Sequence, residues 1–356
     1  MRDFAALVVR WQAVHGRHDL PWQRTREPYR VWLSEIMLQQ TQVATVLAYY
    51  PRFVERFPSV ESLAKASLDE VLGLWSGLGY YRRACNLHQC AIKVMALHGG
   101  EFPRTAQALR SLPGIGPSTA AAIASLCFGE RVAILDGNVR RVLARILGFD
   151  ADLSVTRHER RLWQAASRLL PQHDLDDAMP RYTQGLMDLG AMICTVSHPK
   201  CAACPVARAC VARRLGQPES FPAKAEKRKR GVESIWLLLA QERDGNVWLC
   251  KRPATGVWGG LYCLAWFESR EALVAALPAR YGAKLKDEPV VRHALTHKDL
   301  HLHPVSVRLR RFEKIASPGA WVGADQWHRL GLPAPVRSLL LAGSTAANRV
   351  RGAESA

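Results

Sequence analysis

The sequence predicts a multidomain protein, an all-α domain over residues 1–216 followed by an α+β domain over 233–343, and three observations carry that reading. Apolar residues recur at helical spacing in segment after segment as far as Leu215. Beyond Gln217 the composition turns to proline and charge, giving a linker over 217–232 whose run Lys224 to Arg230 holds five basic residues against one acid. From Ser234 the apolar residues alternate in strand period. A chain of 356 residues also exceeds the size at which a single core keeps growing, so two cores are the default.

Phe4 to Val14 reads as a first helix, and Asp19-Leu20-Pro21-Trp22 interrupts it before Glu27-Pro28 opens a second. In that second helix Glu35 stands among apolar residues, with Val31 and Leu38 on its face. A carboxyl in such surroundings keeps its proton more readily than one in water and suits a general acid near neutral pH. A partly exposed helix glutamate is an equal reading from the residues alone. Gln39-Gln40-Thr41-Gln42 offers a polar row able to hydrogen-bond bases, or simply a polar helix surface. Helical periodicity runs from Leu63 to Trp75 and stops at Gly77-Leu78-Gly79-Tyr80-Tyr81-Arg82-Arg83. Aromatics beside arginines after flexible glycines can stack on bases and hold phosphates, or Tyr80 and Tyr81 can close the core. A helix from Arg83 to about Leu97 then leads to Gly99-Gly100 and Pro103.

Residues Leu112 to Arg140 combine a glycine-rich turn, an alanine-rich helix and an isolated acid. Gly114 and Gly116 around Ile115 permit a tight turn that exposes backbone N–H groups at the entrance of a helix from Ser118 to Phe128, which suits a phosphate. Ala120, Ala121, Ala122 and Ala124 let neighbours pack closely on that helix. Asp136 precedes Val139, Val142, Leu143, Ile146 and Leu147 at helical spacing, so it occupies an N-cap position, and capping alone is the larger expectation from the residues. Helices from about His158 to Leu170 and Pro180 to Met192 complete the first domain. In the second, Ser234 to Ala240, a turn at Asp244-Gly245-Asn246 and Val247 to Cys250 form a hairpin. Leu300, Leu302, then Val305, Val307 and Leu309 alternate with a slip of parity at Pro304, where a bulge is expected. A helix near Glu271 to Tyr281 completes this domain, and the tail 344–356 is expected to be disordered.

Lys+Arg 49 against Asp+Glu 31 gives a net charge of +18, a surplus that points to an anionic partner. No apolar run is long enough to span a bilayer and no secretory segment opens the chain, so the expectation is a cytoplasmic protein without a membrane partner, organellar in a eukaryote. Of nine cysteines, Cys85, Cys90, Cys127, Cys250 and Cys263 are scattered among apolar neighbours and read as buried thiols. Cys194, Cys201, Cys204 and Cys210 instead form C-x6-C-x2-C-x5-C. In a reducing compartment that set reads as metal ligands, for zinc or for an iron-sulfur cluster, with a slight preference for iron because only one C-x2-C knuckle is present.

Leu33 to Val43 (LSEIMLQQTQV), Gly77 to Arg83 (GLGYYRR), Leu112 to Ala122 (LPGIGPSTAAA), Leu135 to Arg141 (LDGNVRR), Met187 to Thr195 (MDLGAMICT) and the four-cysteine spacing occur in the order and spacing of one family. The chain resembles the MutY family of A/G-mismatch adenine DNA glycosylases, within the helix-hairpin-helix glycosylases, over nearly its whole length. The resemblance implies a [4Fe-4S] cluster on Cys194, Cys201, Cys204 and Cys210, in a loop over 194–210. It implies that Glu35 protonates N7 of the adenine to be removed, that Asp136 stabilises positive charge on the sugar, either as an ion or covalently, and that Asn138 helps hold Asp136 or the sugar. Trp22, Leu38 and Gln184 match positions near the adenine, and Gln40 and Tyr80 match positions that fill or wedge the vacated stack. Gly114, Gly116 and Ser118 fall in the DNA-gripping hairpin.

Relatives that also cut the strand carry a lysine where this chain has Ser118, so no Schiff base is expected and the enzyme reads as monofunctional. The second domain resembles the family's Nudix-like domain. After Arg270-Glu271 it reads Ala272-Leu273-Val274-Ala275 where a Nudix pyrophosphatase needs carboxylates, so it is expected to bind rather than hydrolyse. Thr296 and His297 align with the stretch that meets 8-oxoguanine, although as residues they read as an ordinary turn. The implied partner is double-stranded DNA holding adenine opposite 8-oxoguanine or guanine, bound by a monomer associated in a bacterium with the nucleoid. An endonuclease III-like enzyme for oxidised pyrimidines is the alternative within the class. A non-enzymatic iron-sulfur DNA-binding or redox-sensing protein is the alternative outside it.

Overall fold

The computed structural model describes residues 3–223, 230–311, 313–323 and 325–342; the basic run Lys224–Lys229 of the expected linker and the tail 344–356 lie outside the described residues. The first helices in chain order are α1 (Phe4–His15), α2 (Pro28–Leu38), α3 (Val43–Arg56), α4 (Val60–Lys65), α5 (Leu68–Trp75) and α6 (Arg82–His98). There follow α7 (Ala106–Leu109), α8 (Pro117–Phe128), α9 (Gly137–Leu147), α10 (Thr156–Ser167), α11 (Leu175–Met192) and α12 (Val211–Arg214). The strands are β1 (Gly231–Glu242), β2 (Val247–Lys251), β3 (Tyr262–Cys263) and β4 (Ala265–Phe267), and, after α13 (Arg270–Ala275), β5 (Lys286–Asp287), β6 (Val291–Ala294), β7 (Lys298–Leu309) and β8 (Ala320–Val322). Helices thus give way to strands where the composition changes. Contacts group Met1–Lys65 with Asn86–Lys227 as one unit, and Ala66–Cys85 with Arg228–Ala356 as the other.

The helical unit is built around α8, α9 and α11. Val139, Val142, Leu143 and Ile146 of α9 meet Ala121 and Ala122 of α8 and Leu186 and Leu189 of α11 in one buried cluster. Small residues along α8 admit those neighbours closely, as the alanine run implies. Helix starts follow local chemistry. The Glu27 carboxylate accepts from the N–H groups of Tyr29 and Arg30 ahead of α2, and Pro28 occupies its first turn.

Three boundaries differ from the sequence reading. The periodic stretch Leu63 to Trp75 is two helices, because the Ser67 hydroxyl accepts from Glu70 N–H and starts a new one. Helix α11 begins at Leu175 and runs through Pro180, the residue the sequence places at its start. Proline removes the hydrogen bond to the carbonyl of Asp176, and the Arg26 guanidinium donates to that carbonyl instead at 2.7 Å. The expected helix Glu271 to Tyr281 is α13 followed by a 3-10 segment Ala279–Lys284, broken at Pro278.

The second unit carries a mixed sheet in the order β3-β2-β1-β7-β5, with β4 beside β1, β6 beside β7 and β8 beside β2. Its centre is a parallel pair: β1 and β7 stay in register for twelve residues, from Gly231 opposite Lys298 to Glu242 opposite Leu309. No bulge interrupts β7 at Pro304, contrary to the sequence expectation. The parity slip records a change of buried face. Leu300 and Leu302 are buried on one side, Val305, Val307 and Leu309 on the other, where they meet Leu273, Leu277 and Tyr281.

Candidate active site

A cavity of about 220 Å³ opens in the helical unit between α1, α2 and α11. Glu35, Trp22, Leu38 and Gln184 line it, four of the residues singled out from the sequence, together with Gln12, Arg17, His18 and Gln23. Val31, Glu35 and Leu38 recur at i, i+4 and i+7, so α2 presents all three to the cavity. Trp22 is buried, its ring edge-on to Tyr50 at 5.3 Å.

Protein surrounds Glu35 on nearly every side while part of its surface faces the cavity, and its pKa is pushed up to about 8, first by burial and then by the charge of Asp136. Asp136 is the N-cap of α9, its carboxylate accepting from Val139 N–H at 2.6 Å. Burial raises its pKa too, against the opposing pull of the Val139 and Asn138 N–H groups, Arg141 and Arg140. Among the described residues no such donor or cation opposes the effect of burial on Glu35. The N–H groups at the positive end of α9 and the two arginines thus favour the anion of Asp136, while burial and a like charge favour the protonated form of Glu35. Capping and the charged role are compatible, because the N–H groups that make Asp136 a cap also stabilise its anion.

The other predicted residues are placed as follows. Asn138 supports Asp136 through its backbone N–H, while its side-chain oxygen accepts from Arg141 at 2.8 Å. The Ser118 hydroxyl accepts from Leu135 N–H at 3.2 Å, fixing the residue before Asp136. Gly114 takes a left-handed conformation, φ +76°, and a side chain there would press into Asn86, so the turn after α7 needs glycine. Gly116 is the N-cap of α8 and offers no side-chain acceptor to the N–H groups at that helix entrance. Gln40 and Tyr80 are both in the left-handed region, φ +57° and +48°. Non-glycine residues reach that region at a cost of order 1 kcal/mol and are held there by their surroundings. Thr296 and His297 are exposed at the tip of the hairpin joining β6 to β7, closed by Leu295 N–H donating to Lys298 O.

Cys194, Cys201, Cys204 and Cys210 line one cavity beneath α9. Arg145, only 2% exposed, donates to Cys194 Sγ at 3.4 Å and to the carbonyls of Thr195, Val196 and Phe221. Arg141 donates to the carbonyls of Cys194 and Gly190 at 2.7 and 2.8 Å. Helix α9 thus carries Asp136 at its start and grips the cysteine segment with two arginines farther along.

Sequence reasoning missed Asp188 and Arg17. Asp188 is fully buried, ion-paired with Arg17 at 2.7 Å, and accepts from Gln184 Nε2 at 3.0 Å. The signal in the sequence was an Asp four residues after Gln184 in an otherwise apolar stretch of helix. A carboxylate can only accept, so Asp188 turns the amide nitrogen of Gln184 towards itself and leaves the amide oxygen for the cavity.

Residues 33–168 match the model of the HhH-GPD superfamily of base excision DNA repair proteins, and residues 235–342 match the NUDIX domain model. An adenine DNA glycosylase of Buchnera aphidicola subsp. Acyrthosiphon pisum is 36% identical over 342 residues, spanning 95% of this chain and 96% of the relative. The chain belongs to the adenine DNA glycosylase family. The adenine DNA glycosylase of Homo sapiens is 45% identical over 230 residues, 62% of this chain and 41% of the human protein. Among solved structures, a thermostable thymine-DNA glycosylase superposes with a TM-score of 0.52 at 30% identity, covering 60% of this chain and 96% of that one. An endonuclease III bound to DNA superposes at 0.50 with 20% identity, over 61% of this chain and 97% of that one, and shares the helical fold. Adenine DNA glycosylases are hydrolases of N-glycosyl bonds, and the helical glycosylase domain followed by a Nudix-like domain is the architecture observed here. Among the described residues no helix is long and apolar enough to cross a membrane.

Proposed function

We propose that this protein, acting as a monomer, extrudes adenine from duplex DNA at mispairs with 8-oxoguanine or guanine and hydrolyses its N-glycosidic bond without cutting the strand. The observation that carries this reading is Glu35, protonated up to a pH of about 8 at a base-sized cavity, with Asp136 near enough for its charge to raise that pKa. Breaking the bond requires a proton on the departing base and an anion near the sugar. Glu35 donates to N7, so the bond's electron pair leaves with neutral adenine, Asp136 stabilises the oxocarbenium-like sugar, and water completes the hydrolysis. Extrusion of the target base is the general solution for enzymes acting on a stacked base, glycosylases included. No lysine is among the described residues that line the cavity and Ser118 carries no amine, which favours hydrolysis over an imine route. Gly114, Gly116, Gln40 and Tyr80 are assigned to backbone and stack contacts, and Thr296 and His297 to the opposite base.

Within the cavity the Gln184 oxygen is free to accept from the adenine amino group. Asp188→Asn, whose amide can also donate, no longer fixes that orientation. The ratio of adenine to hypoxanthine excision is expected to fall by about 1–3 kcal/mol, the cost of a mispaired buried acceptor. A ratio is read because it is insensitive to any loss of folded protein from the broken Arg17 pair. An unchanged ratio would release Gln184 from this role.

The chemistry of the four thiols fits a [4Fe-4S] cluster, which takes thiolate ligands, and all four line one cavity, although among the described residues no three His, Cys, Asp or Glu side chains are grouped to hold a metal ion. Burial, foremost, and mutual repulsion push the Cys204 thiol up to about 11, so that thiol gives up its proton only when a metal takes the charge, and Arg145 supplies a buried cation beside Cys194. When bound, the cluster ties residues 194–210 into one loop.

The test is a duplex with one adenine opposite 8-oxoguanine: a break appears only after alkali, and a chain that produces no alkali-labile site overturns the proposal. In the same assay Thr296→Ala with His297→Ala is expected to cut the preference for 8-oxoguanine over guanine by about 1–3 kcal/mol if one or two hydrogen bonds carry it. A preference left intact would move the reader of the opposite base elsewhere.

A further inference from the structure

Residues 66–85 lie, in sequence, in the middle of the helical domain, yet they group with the second unit. The attachments are specific. Asp69 accepts from Lys251 Nζ at 2.7 and 2.8 Å and from the Tyr262 hydroxyl at 3.4 Å. The face of α5 is shaped to receive the backbone near residue 330: a Cβ on Gly73 would overlap the Arg329 carbonyl oxygen, and one on Gly331 would come 2.7 Å from Leu72 Cβ. Just beyond α5, the buried Ser76 hydroxyl donates to Leu332 O at 2.9 Å and accepts from Arg337 Nε at 3.1 Å. The Tyr81 hydroxyl donates to the same Leu332 oxygen at 2.7 Å and accepts from Gly77 N–H at 3.2 Å. Arg337 also reaches the carbonyls of His328 and Leu330, so it ties that backbone to the base of the loop after α5.

The loop so anchored is Gly77 to Arg83, and its tip is Tyr80, 48% exposed with its backbone held at φ +48°. Inside the loop Trp75 Nε1 and the Arg83 guanidinium donate to Gly79 O at 3.1 and 3.2 Å, and Arg83 lies 5.5 Å from the Tyr80 ring centroid. A side chain that must push between stacked bases needs a support that does not yield, since any compliance returns the inserted ring to solvent.

We propose that Arg329–Arg337 of the second unit is the platform that positions the Tyr80 wedge, with Tyr81, Ser76 and Arg337 as positioning residues for base extrusion. This rests on the assignment of Tyr80 to the DNA stack. The unit expected to read the opposite base thereby also holds the element that opens the stack, so base reading and extrusion share one support.

Tyr81→Phe in the full chain tests it, because the change deletes only the hydroxyl that joins Gly77 N–H to Leu332 O. Without DNA, amide exchange over 77–83 is expected to quicken about 3- to 10-fold, the worth of one such hydrogen bond. With 2-aminopurine as the mispaired base, the extruded population read by fluorescence is expected to fall by a similar factor. Tyr80→Ala combined with Tyr81→Phe should be no worse than Tyr80→Ala alone, since both act through one ring. Exchange unchanged by Tyr81→Phe, or losses that multiply in the double variant, overturn the platform. A wild-type chain that fails to remove adenine would instead overturn the proposed function, and the DNA-free exchange arm still decides the platform.

Discussion

Glu35→Gln is expected to lower the single-turnover rate of adenine excision by about 10²–10⁴-fold while leaving affinity for the same duplex unchanged, because the amide keeps the shape but has no proton to give. The wild-type rate should fall tenfold per pH unit above about 8, where Glu35 loses its proton, and the residual rate of the variant should lack that limb. The same group gives a stability signature of defined sign. In the folded chain Glu35 holds its proton to about 8, while the unfolded chain releases it near the ordinary 4.5, so its favourable contribution is full below 4.5 and is lost as pH rises towards 8. Glutamine has no carboxylate to bury. The melting temperature of Glu35→Gln should therefore gain on wild type across that window and stay ahead above it. A variant that excises adenine normally, or whose melting temperature tracks wild type at every pH, would remove Glu35 from its role.

Cys204→Ala is expected to abolish incorporation of the cluster and to reduce soluble yield and DNA affinity together. With a metal bound the four thiols would close the segment 194–210, which carries Lys200 and Arg208; without it the segment keeps the hold of Arg141 and Arg145 and the packing of Val206. Every phosphate left without its basic partner should flatten the slope of log affinity against log salt by about 0.9. Iron and acid-labile sulfide per chain, with DNA binding over a range of salt, provide the measurement. A variant with wild-type yield, affinity and salt slope would show the segment to be held without metal, and anaerobically prepared wild-type protein carrying zinc would contradict the iron assignment.

These two residues differ in how they could be found. Cys204 was legible as a candidate ligand because spacing along the chain is itself the signal: Cys194, Cys201, Cys204 and Cys210 fall within one short segment, and they line one cavity. Glu35 was legible as a candidate from its apolar helix face, but what raises it to about 8 includes Asp136, far along the chain, and that charge enters only when the fold brings Asp136 near Glu35. Asp188 shows the limit more sharply. Its position four residues after Gln184 is visible, yet its effect on the orientation of the amide depends on complete burial and on Arg17 from a distant part of the chain.

The sequence by itself determined the local features: helix caps at Glu27 and Asp136, the turn that requires Gly114, the cysteine spacing and the change from helical to strand period after Gln217. These depend on neighbours within a few residues, where propensity and hydrogen-bonding capacity act directly. It misjudged Pro180 and Pro304 because the cost of a missing N–H depends on distant partners: Arg26 takes the carbonyl that Pro180 strands, and β7 keeps its register through Pro304 while exchanging one buried face for the other. Only tertiary structure decided that Ala66–Cys85 joins the second unit, since Ser76, Tyr81 and Gly73 reveal their purpose only against Leu332, Arg337 and Arg329. Contacts separated by some 250 residues leave no periodic trace in either segment, because each is an ordinary helix end or loop until the other is placed against it.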